Sequence, residues 1–165
     1  MDNNEIDWYA DIIPGKSIAG LEISKYSHQD IKALLKKLDK NNFHIRDNSD
    51  SFDIYSSNNI DAIDTNLLMR LSFNEQMILN SIMVYITRKP SQYQGKIYGK
   101  YGLGDRLINI SEFGSLERTA TGEEFLLINS DNKYGLEVGN GLDVSLQEGA
   151  FPKNCVTAYN PLTGE

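Results

Sequence analysis

The alternation of hydrophobic and polar residues predicts one helix and a hairpin early in the chain. The segment "SHQDIKALLKKLDKNN", residues 27–42, spaces aliphatic side chains along one helical face, and Ser27 with Asp30 is typical of a helix start. The segments "FHIR" (43–46) and "FDIY" (52–55) alternate like two short strands around the turn-rich "DNSDS". We therefore expect a helix followed by a β-hairpin.

A second, longer hairpin is predicted from "LLMRLSF" (67–73) and "ILNSIMVYIT" (78–87). Both segments are rich in apolar residues, several of them β-branched or aromatic, and a short polar connection, "NEQM", separates them. We expect these two strands to form the centre of a sheet.

The second half repeats this order more weakly. After Pro90 comes the glycine- and tyrosine-rich "QGKIYGKYGLGDRL" (94–107), and then a weak helical pattern in Leu107, Ile110 and Phe113 that Gly114 would end. The segments "EFLLIN", "YGLEVGNGLDVSL" and "NCVTAYN" predict short strands joined by turns.

An internal repeat is suggested when residues are compared at an offset of 80 positions. The dipeptide Gly15-Lys16 then falls on Gly95-Lys96, and without a gap "LEIS" (21–24) overlays "YGLG" (101–104). The prediction is one α+β domain over residues 1–165, built of two related strand-helix-hairpin units at about 14–89 and 94–160. Its sheet is expected to be mostly antiparallel and packed by one long and one short helix.

Composition limits the classes of ligand. The chain has 165 residues, of which 40% are hydrophobic and 10% aromatic, enough for the core of one domain. Its formal net charge of −7 disfavours a nucleic acid or an anionic membrane as the main ligand, because phosphate binding requires a concentrated Lys/Arg surface. We expect a basic protein partner instead.

The chain is expected to act in the cytoplasm. Cys155 is the single cysteine, so no intrachain disulfide can form. The stretch "MDNNEIDWYADIIPGK" lacks the basic start and apolar run of a secretory signal. The longest apolar-leaning stretch, residues 77–86, is far shorter than the ~20 residues of a membrane span.

The pattern "PGKSIAGLEI…HQDI", "LSFNEQMILNSIMVY", "QGKIYGKYGLGDRL" and "EEFLLIN…YGLEV" resembles a group of small bacterial proteins with a tandem βα-plus-hairpin unit. Their layout is similar to the beta-lactamase-inhibitor-protein and BamE-like folds. The glycine that usually ends the Ile-x-Ile strand in those groups is Gly104 in the second unit and is replaced by Ser24 in the first.

Such folds mostly serve as binding modules: lipoprotein assembly factors, inhibitors and toxin-neutralising immunity proteins. In size and charge, the chain resembles the immunity proteins of contact-dependent inhibition and polymorphic toxin systems. The resemblance implies a non-enzymatic protein whose partner is a cognate toxin.

The stretch "IIPGKSIAG" (12–20) contains the Gly-Lys-Ser that ends a phosphate-binding P-loop. However, Ala10 occupies the position of the first required glycine, and an extended segment is expected where a helix should begin. The cluster of Gly99, Gly102 and Gly104 likewise fails the dinucleotide-binding spacing. Both are interpreted as turns, so no cofactor is predicted.

No catalytic or metal site is predicted. His28 and His44 are the only histidines; His28 is expected to be exposed in the first helical turn, and His44 to face away from the core. Glu123 and Glu124 are adjacent, so a strand would direct them to opposite faces and they form a poor carboxylate pair.

The most informative charged feature is "DNSDSFDIYSSNNIDAID", residues 47–64, which contains five aspartates and no Lys or Arg. It could be a set of solvated loops, or a surface that presents carboxylates and an aromatic anchor to cations around a partner's active site. The predicted partner-binding residues are Asp47, Asp50, Asp53, Tyr55, Asp61, Asp64, Glu123 and Glu124.

The leading hypothesis is therefore a cytoplasmic immunity protein that blocks the active site of a bacterial toxin, specifically a basic nuclease. Two alternatives stay open from the sequence. One is a small ligand-binding or enzymatic domain with a pocket between the two units, and the other is a BamE-like assembly factor.

Overall fold

The computed structural model describes residues 5–56, 66–85, 93–118, 124–128, 135–139 and 155–159. The first half contains β1 (Ser17–Ile18), β2 (Leu21–Glu22), α1 (His28–Leu35), β3 (His44–Asp47), β4 (Ser51–Tyr55), β5 (Leu67–Phe73) and β6 (Leu79–Tyr85). The second half contains a 3₁₀ helix (Leu107–Phe113), β7 (Ser115–Arg118), β8 (Glu124–Ile128), β9 (Leu136–Gly139) and β10 (Cys155–Tyr159).

Eight of the strands form one antiparallel sheet in the order β3-β4-β5-β6-β10-β9-β8-β7. The strands of the first half run inward from the edge strand β3, and those of the second half run outward to the edge strand β7. β6 and β10 meet at the centre, with Ile82 opposite Ala158. The predicted α+β class, with mostly antiparallel strands, is confirmed.

Both predicted hairpins are present. β3 pairs with β4 through Ile45 and Ile54, and β5 pairs with β6 through Leu71 and Ile82. β6 lies at the centre of the sheet, as predicted for this hairpin, whereas β5 lies one position further out.

Helix α1 begins where the sequence predicts and ends earlier than the hydrophobic pattern. Ser27 and Asp30 form a reciprocal capping box, in which Ser27 Oγ accepts the Asp30 N–H at 3.2 Å and Asp30 accepts the Ser27 N–H at 2.9 Å. After Leu35 the backbone changes to bonds between residues three apart, Lys37 N–H to Leu34 O and Leu38 N–H to Leu35 O. Asp39 then closes a turn, accepting hydrogen bonds from the Asn41 N–H and the Asn42 side chain.

The second predicted helix is a 3₁₀ helix that Gly114 follows, as expected. The 3₁₀ helix has 7 residues and α1 has 8, so the predicted contrast between one long and one short helix is not observed. The core lies between these helices and one face of the sheet; its members with no exposed surface include Ile31, Leu71, Ile82, Ile110 and Leu127.

The Gly-Lys stretch of the first half forms a tight turn followed by a strand. The Ser17 N–H donates to Ile13 O and the Ile13 N–H donates to Ser17 O, with Gly15 at φ 71° between them. β1 then continues as the extended segment that the sequence predicts, so the chain does not begin a helix at this turn.

The counterpart of this turn lies at Ile97–Tyr101, not at the predicted Gly95-Lys96. The Ile97 N–H donates to Tyr101 O and Gly99 has φ 73°, which reproduces the first turn 84 positions later. Ser24 and Gly104, both with positive φ and both shortly before a helix, still match at 80 positions. The predicted repeat without a gap is therefore wrong, because the turns match at 84 positions and the pre-helix residues at 80. The difference of four residues lies in the first half, which contains the extra turn between β1 and β2.

Candidate partner-binding surface

The turn between β3 and β4 presents two of the predicted carboxylates to solvent. Asp47 and Asp50 are both exposed. Asp47 accepts the Ser49 N–H at 3.0 Å and lies 3.8 Å from Lys32 Nζ. The Asp50 carbonyl accepts the Phe73 N–H, which fixes the turn against β5. These two carboxylates are accessible to a partner.

Asp53 is not accessible, and its assignment to a binding surface is wrong. Its side chain is buried and receives two hydrogen bonds from Arg70, Nε to Oδ1 at 2.6 Å and Nη2 to Oδ2 at 3.0 Å, plus one from Asn48. The hydrogen bond to Asp53 raises the pKa of Arg70 above its ordinary value. This pair stabilises the sheet.

Tyr55 is also wrongly predicted as a surface anchor, because it has no exposed area. The Arg46 guanidinium lies 5.1 Å from its ring centre, and the His44 ring centre lies 6.1 Å away. In the sheet, Asp53 of β4 is paired with Arg46 of β3 on one side and with Arg70 of β5 on the other. The stretch 47–64 contains no Lys or Arg, but the two neighbouring strands supply arginines beside its buried aspartate.

Of the remaining predicted residues, only Glu124 lies in a described element. Asp61, Asp64 and Glu123 lie outside the described residues. Glu124 begins β8, where its backbone pairs with Gly139.

His28 is half-buried, contrary to the expected exposure. Its ring stacks on that of Phe52, with 4.6 Å between the ring centres, and packs edge-on against Phe73, with 5.0 Å between the ring centres. The first turn of α1 therefore packs against β4 and β5. Its Nε2 has no hydrogen-bond partner among the described residues. Within the described part of the chain, no three His, Cys, Asp or Glu side chains are grouped as metal ligands.

A surface that the sequence analysis missed surrounds the second Gly-Lys turn. The Tyr98 cluster, as we call it, consists of Tyr98, Lys100, Tyr101, Glu112 and Phe113. Tyr98 is 38% exposed and has φ 48°, a left-handed conformation that is unfavourable for any residue with a side chain. The centre of the Tyr98 ring lies 5.0 Å from the centre of the Phe113 ring, in an edge-to-face contact, and the centre of the Tyr101 ring lies 5.7 Å from it.

A carboxylate is held within this aromatic group. Tyr101 Oη donates to Glu112 Oε2 at 2.6 Å, and Lys100 Nζ donates to Glu112 Oε1. The pKa of Glu112 is lowered, first by the hydrogen bond from Lys100 and then by that from Tyr101. The cluster therefore combines exposed aromatic area with a carboxylate that stays charged at neutral pH.

Asp11 adds a second carboxylate beside the turn. Its Oδ2 lies 3.2 Å from the point where a Cβ on Gly99 would stand, and its Oδ1 accepts the Lys96 N–H at 3.4 Å. The sequence signal for this surface is the glycine- and tyrosine-rich passage itself, which the pattern analysis assigned to turns alone.

No helix in the described part of the chain is both long and apolar enough to cross a membrane. Comparisons with protein-family models, with curated proteins and with solved structures each found no match. The proposals below accordingly rest on the geometry, charge and sequence pattern of the chain.

Proposed function

We propose that this chain is an immunity protein of a contact-dependent inhibition system. It binds a cognate bacterial toxin, specifically a basic nuclease, in the cytoplasm and neutralises it by covering the active site. The chain itself performs no chemistry and uses no cofactor.

The observation that carries this proposal is the Tyr98 cluster. Tyrosine is enriched among the residues that dominate binding energy in protein interfaces, because it buries a large apolar area at a low cost in side-chain entropy. Tyr98 is exposed, and contact with Phe113 holds its ring before a partner arrives. A surface preorganised in this way loses little entropy on binding.

Charge supports a basic partner. The net charge of −7 favours encounter with a cationic protein, and the exposed carboxylates of Asp47 and Asp50 add to the field at the β3–β4 turn. Glu112 within the Tyr98 cluster and Asp11 beside it are suited to arginine and lysine side chains that otherwise hold a nucleic-acid backbone.

We also propose that the domain consists of two related units, at about 14–89 and 94–160, with the layout of the BLIP and BamE-like folds. Two features support this layout: the strand order, in which the second four strands mirror the first four, and the matching turns at Ile13–Ser17 and Ile97–Tyr101.

The proposal predicts that a gene adjacent to that of this chain encodes the toxin, and calorimetric titration of the chain with that toxin domain is the test. Tyr98→Ala should weaken binding by roughly 30-fold or more, since removing an interface anchor costs about 2 kcal/mol or more. Met77→Ala is the matched control, because Met77 is 37% exposed in the β5–β6 turn and also has positive φ. It should change the affinity less than about twofold.

Equal effects of the two substitutions would overturn the assignment of the Tyr98 cluster. No binding of the adjacent toxin domain by the wild-type chain would overturn the proposed function itself.

A further inference from the structure

A groove of about 460 Å³ lies between the second half of α1 and the edge strand β3. Its floor is apolar and consists of Leu35, Leu38, Phe43, Ile45 and Phe52. A cavity of this size and character falls within the range of ~300–1,000 Å³ that is typical of small-molecule sites.

The local fold explains why the groove is open. α1 ends at Leu35, and the Asp39 turn brings the chain back to β3 with Phe43 stacked on Trp8 at 5.3 Å. β3 is an edge strand, so no described strand continues the sheet beyond this side of the groove.

The rim of the groove carries more cations than carboxylates. Its polar lining residues are Lys32, Lys36, Lys40, His44 and one carboxylate, Asp47. Lys32 Nζ lies 3.8 Å from Asp47 Oδ2, and both side chains of this pair are 45% exposed. Lys36 and Lys40 have no carboxylate partner among the described residues. Two uncompensated cations beside an apolar floor contrast with a chain of net charge −7.

We propose that this groove binds an amphipathic organic anion, specifically a medium-chain carboxylate. The hydrocarbon chain lies on the floor formed by Leu35, Leu38 and Phe43, where it removes apolar surface from water. The carboxylate pairs with Lys36 and Lys40, whose flexible stems allow the ammonium groups to reach it from the rim. This proposal goes beyond the immunity function and does not depend on it.

The probe is sodium dodecanoate below its micelle concentration, titrated calorimetrically into the full chain. We expect one saturable site whose affinity falls as NaCl rises, because salt screens exposed ion pairs. Dodecyltrimethylammonium has the same tail and the opposite charge, and it should bind at least about tenfold more weakly.

Lys36→Ala/Lys40→Ala should weaken dodecanoate binding about tenfold. Lys37→Ala is the matched control, because Lys37 directly follows Lys36 but does not line the groove, and it should leave the affinity within about twofold. Leu38→Gln tests the floor independently and should also weaken binding. Unfolding curves of each variant confirm that it is folded.

Absence of saturable dodecanoate binding would overturn the proposal. Equal affinity for the two probes, or equal affinities of the double variant and Lys37→Ala, would overturn the assignment of the carboxylate to Lys36 and Lys40. Loss of dodecanoate binding with toxin binding intact would separate this site from the proposed immunity function.

Discussion

The Asp53–Arg70 pair is asymmetric, because the carboxylate is buried whereas the Arg70 side chain is 39% exposed. Arg70→Met removes two of the three hydrogen bonds to a buried carboxylate, and we expect it to lower the free energy of unfolding by about 3 kcal/mol. Asp53→Asn leaves a guanidinium that water can reach, so its cost should be about 1–2 kcal/mol. Urea unfolding at neutral pH measures both, and a larger cost for Asp53→Asn would contradict this assignment.

Tyr93 makes stability sensitive to alkaline pH. Burial raises the pKa of its hydroxyl above the ordinary value, and the hydroxyl donates to Ala10 O at 2.7 Å. A raised folded-state pKa contributes stability that is complete below the unfolded pKa of about 10 and is lost as pH rises toward the folded value.

The unfolding free energy of wild type should therefore fall above about pH 10 more steeply than that of Tyr93→Phe, by up to ~1.4 kcal/mol per pH unit. Urea unfolding of both proteins over this range measures the difference, and parallel pH profiles would contradict it.

Residue-scale predictions from the sequence succeeded where the partners are close along the chain. The Ser27–Asp30 capping box spans three residues and was recognisable as a helix start. Asp53 was misassigned because its partner Arg70 is 17 positions away, and only strand pairing brings the two together. A count of charges within one segment cannot detect a cross-strand partner.

At the scale of elements, the extended segment around Gly95 joins the two halves of the chain. The Gln94 N–H donates to Trp8 O, the Ile12 N–H donates to Lys96 O, and Ile12 forms a parallel bridge with Ile97. A Cβ on Gly95 would stand 2.1 Å from both Ala10 O and the Tyr93 hydroxyl. Glycine is therefore required here by close packing and not by a turn.

Gly95→Ala should lower the free energy of unfolding by about 2–3 kcal/mol, because a backbone carbonyl must move. Gly102→Ala is the matched control, since its nearest contact would be 3.4 Å away, and it should cost less than ~1 kcal/mol. Thermal unfolding of the two variants tests this, and similar midpoints would contradict the close approach at Gly95.

Helix and hairpin positions were predictable from hydrophobic spacing, whereas the repeat offset was not. The Gly-Lys turns match at 84 positions and Ser24 matches Gly104 at 80, so no single offset describes both. The 3₁₀ character of Leu107–Phe113 was also not predictable. It follows from bonds between residues three apart, such as the Asn109 N–H to Arg106 O, and a seven-residue hydrophobic pattern does not distinguish these from α-helical bonds.

At the scale of the whole molecule, the inverted strand order brings the two halves together at β6 and β10. The strand segments were recognisable, but the β6–β10 pairing joins residues 70 to 78 positions apart, and local patterns contain no information on it. The groove between α1 and β3 and the Tyr98 cluster each lie within a short span of the chain, residues 32–52 and 98–113. They were not predicted because the directions of their side chains follow from the folded backbone, which the hydrophobic pattern does not specify.

The surface of the molecule combines regions of opposite charge. Asp47, Asp50 and Glu112 present carboxylates, whereas Lys36 and Lys40 present ammonium groups beside the apolar groove. The acidic regions fit a cationic protein and the groove fits a small anion. Of these carboxylates Asp47 also lines the groove, where it pairs with Lys32, whereas Asp50 and Glu112 do not line it.

The immunity function is tested most directly by growth of bacteria that express the toxin domain predicted to be encoded in the adjacent gene, with and without this chain. Cells with the toxin domain alone should stop growing, and co-expression of the wild-type chain should restore growth. Tyr98→Ala should restore it only when expressed in excess. Failure of the folded wild-type chain to restore growth, or a toxin domain that is harmless alone, would contradict the immunity function.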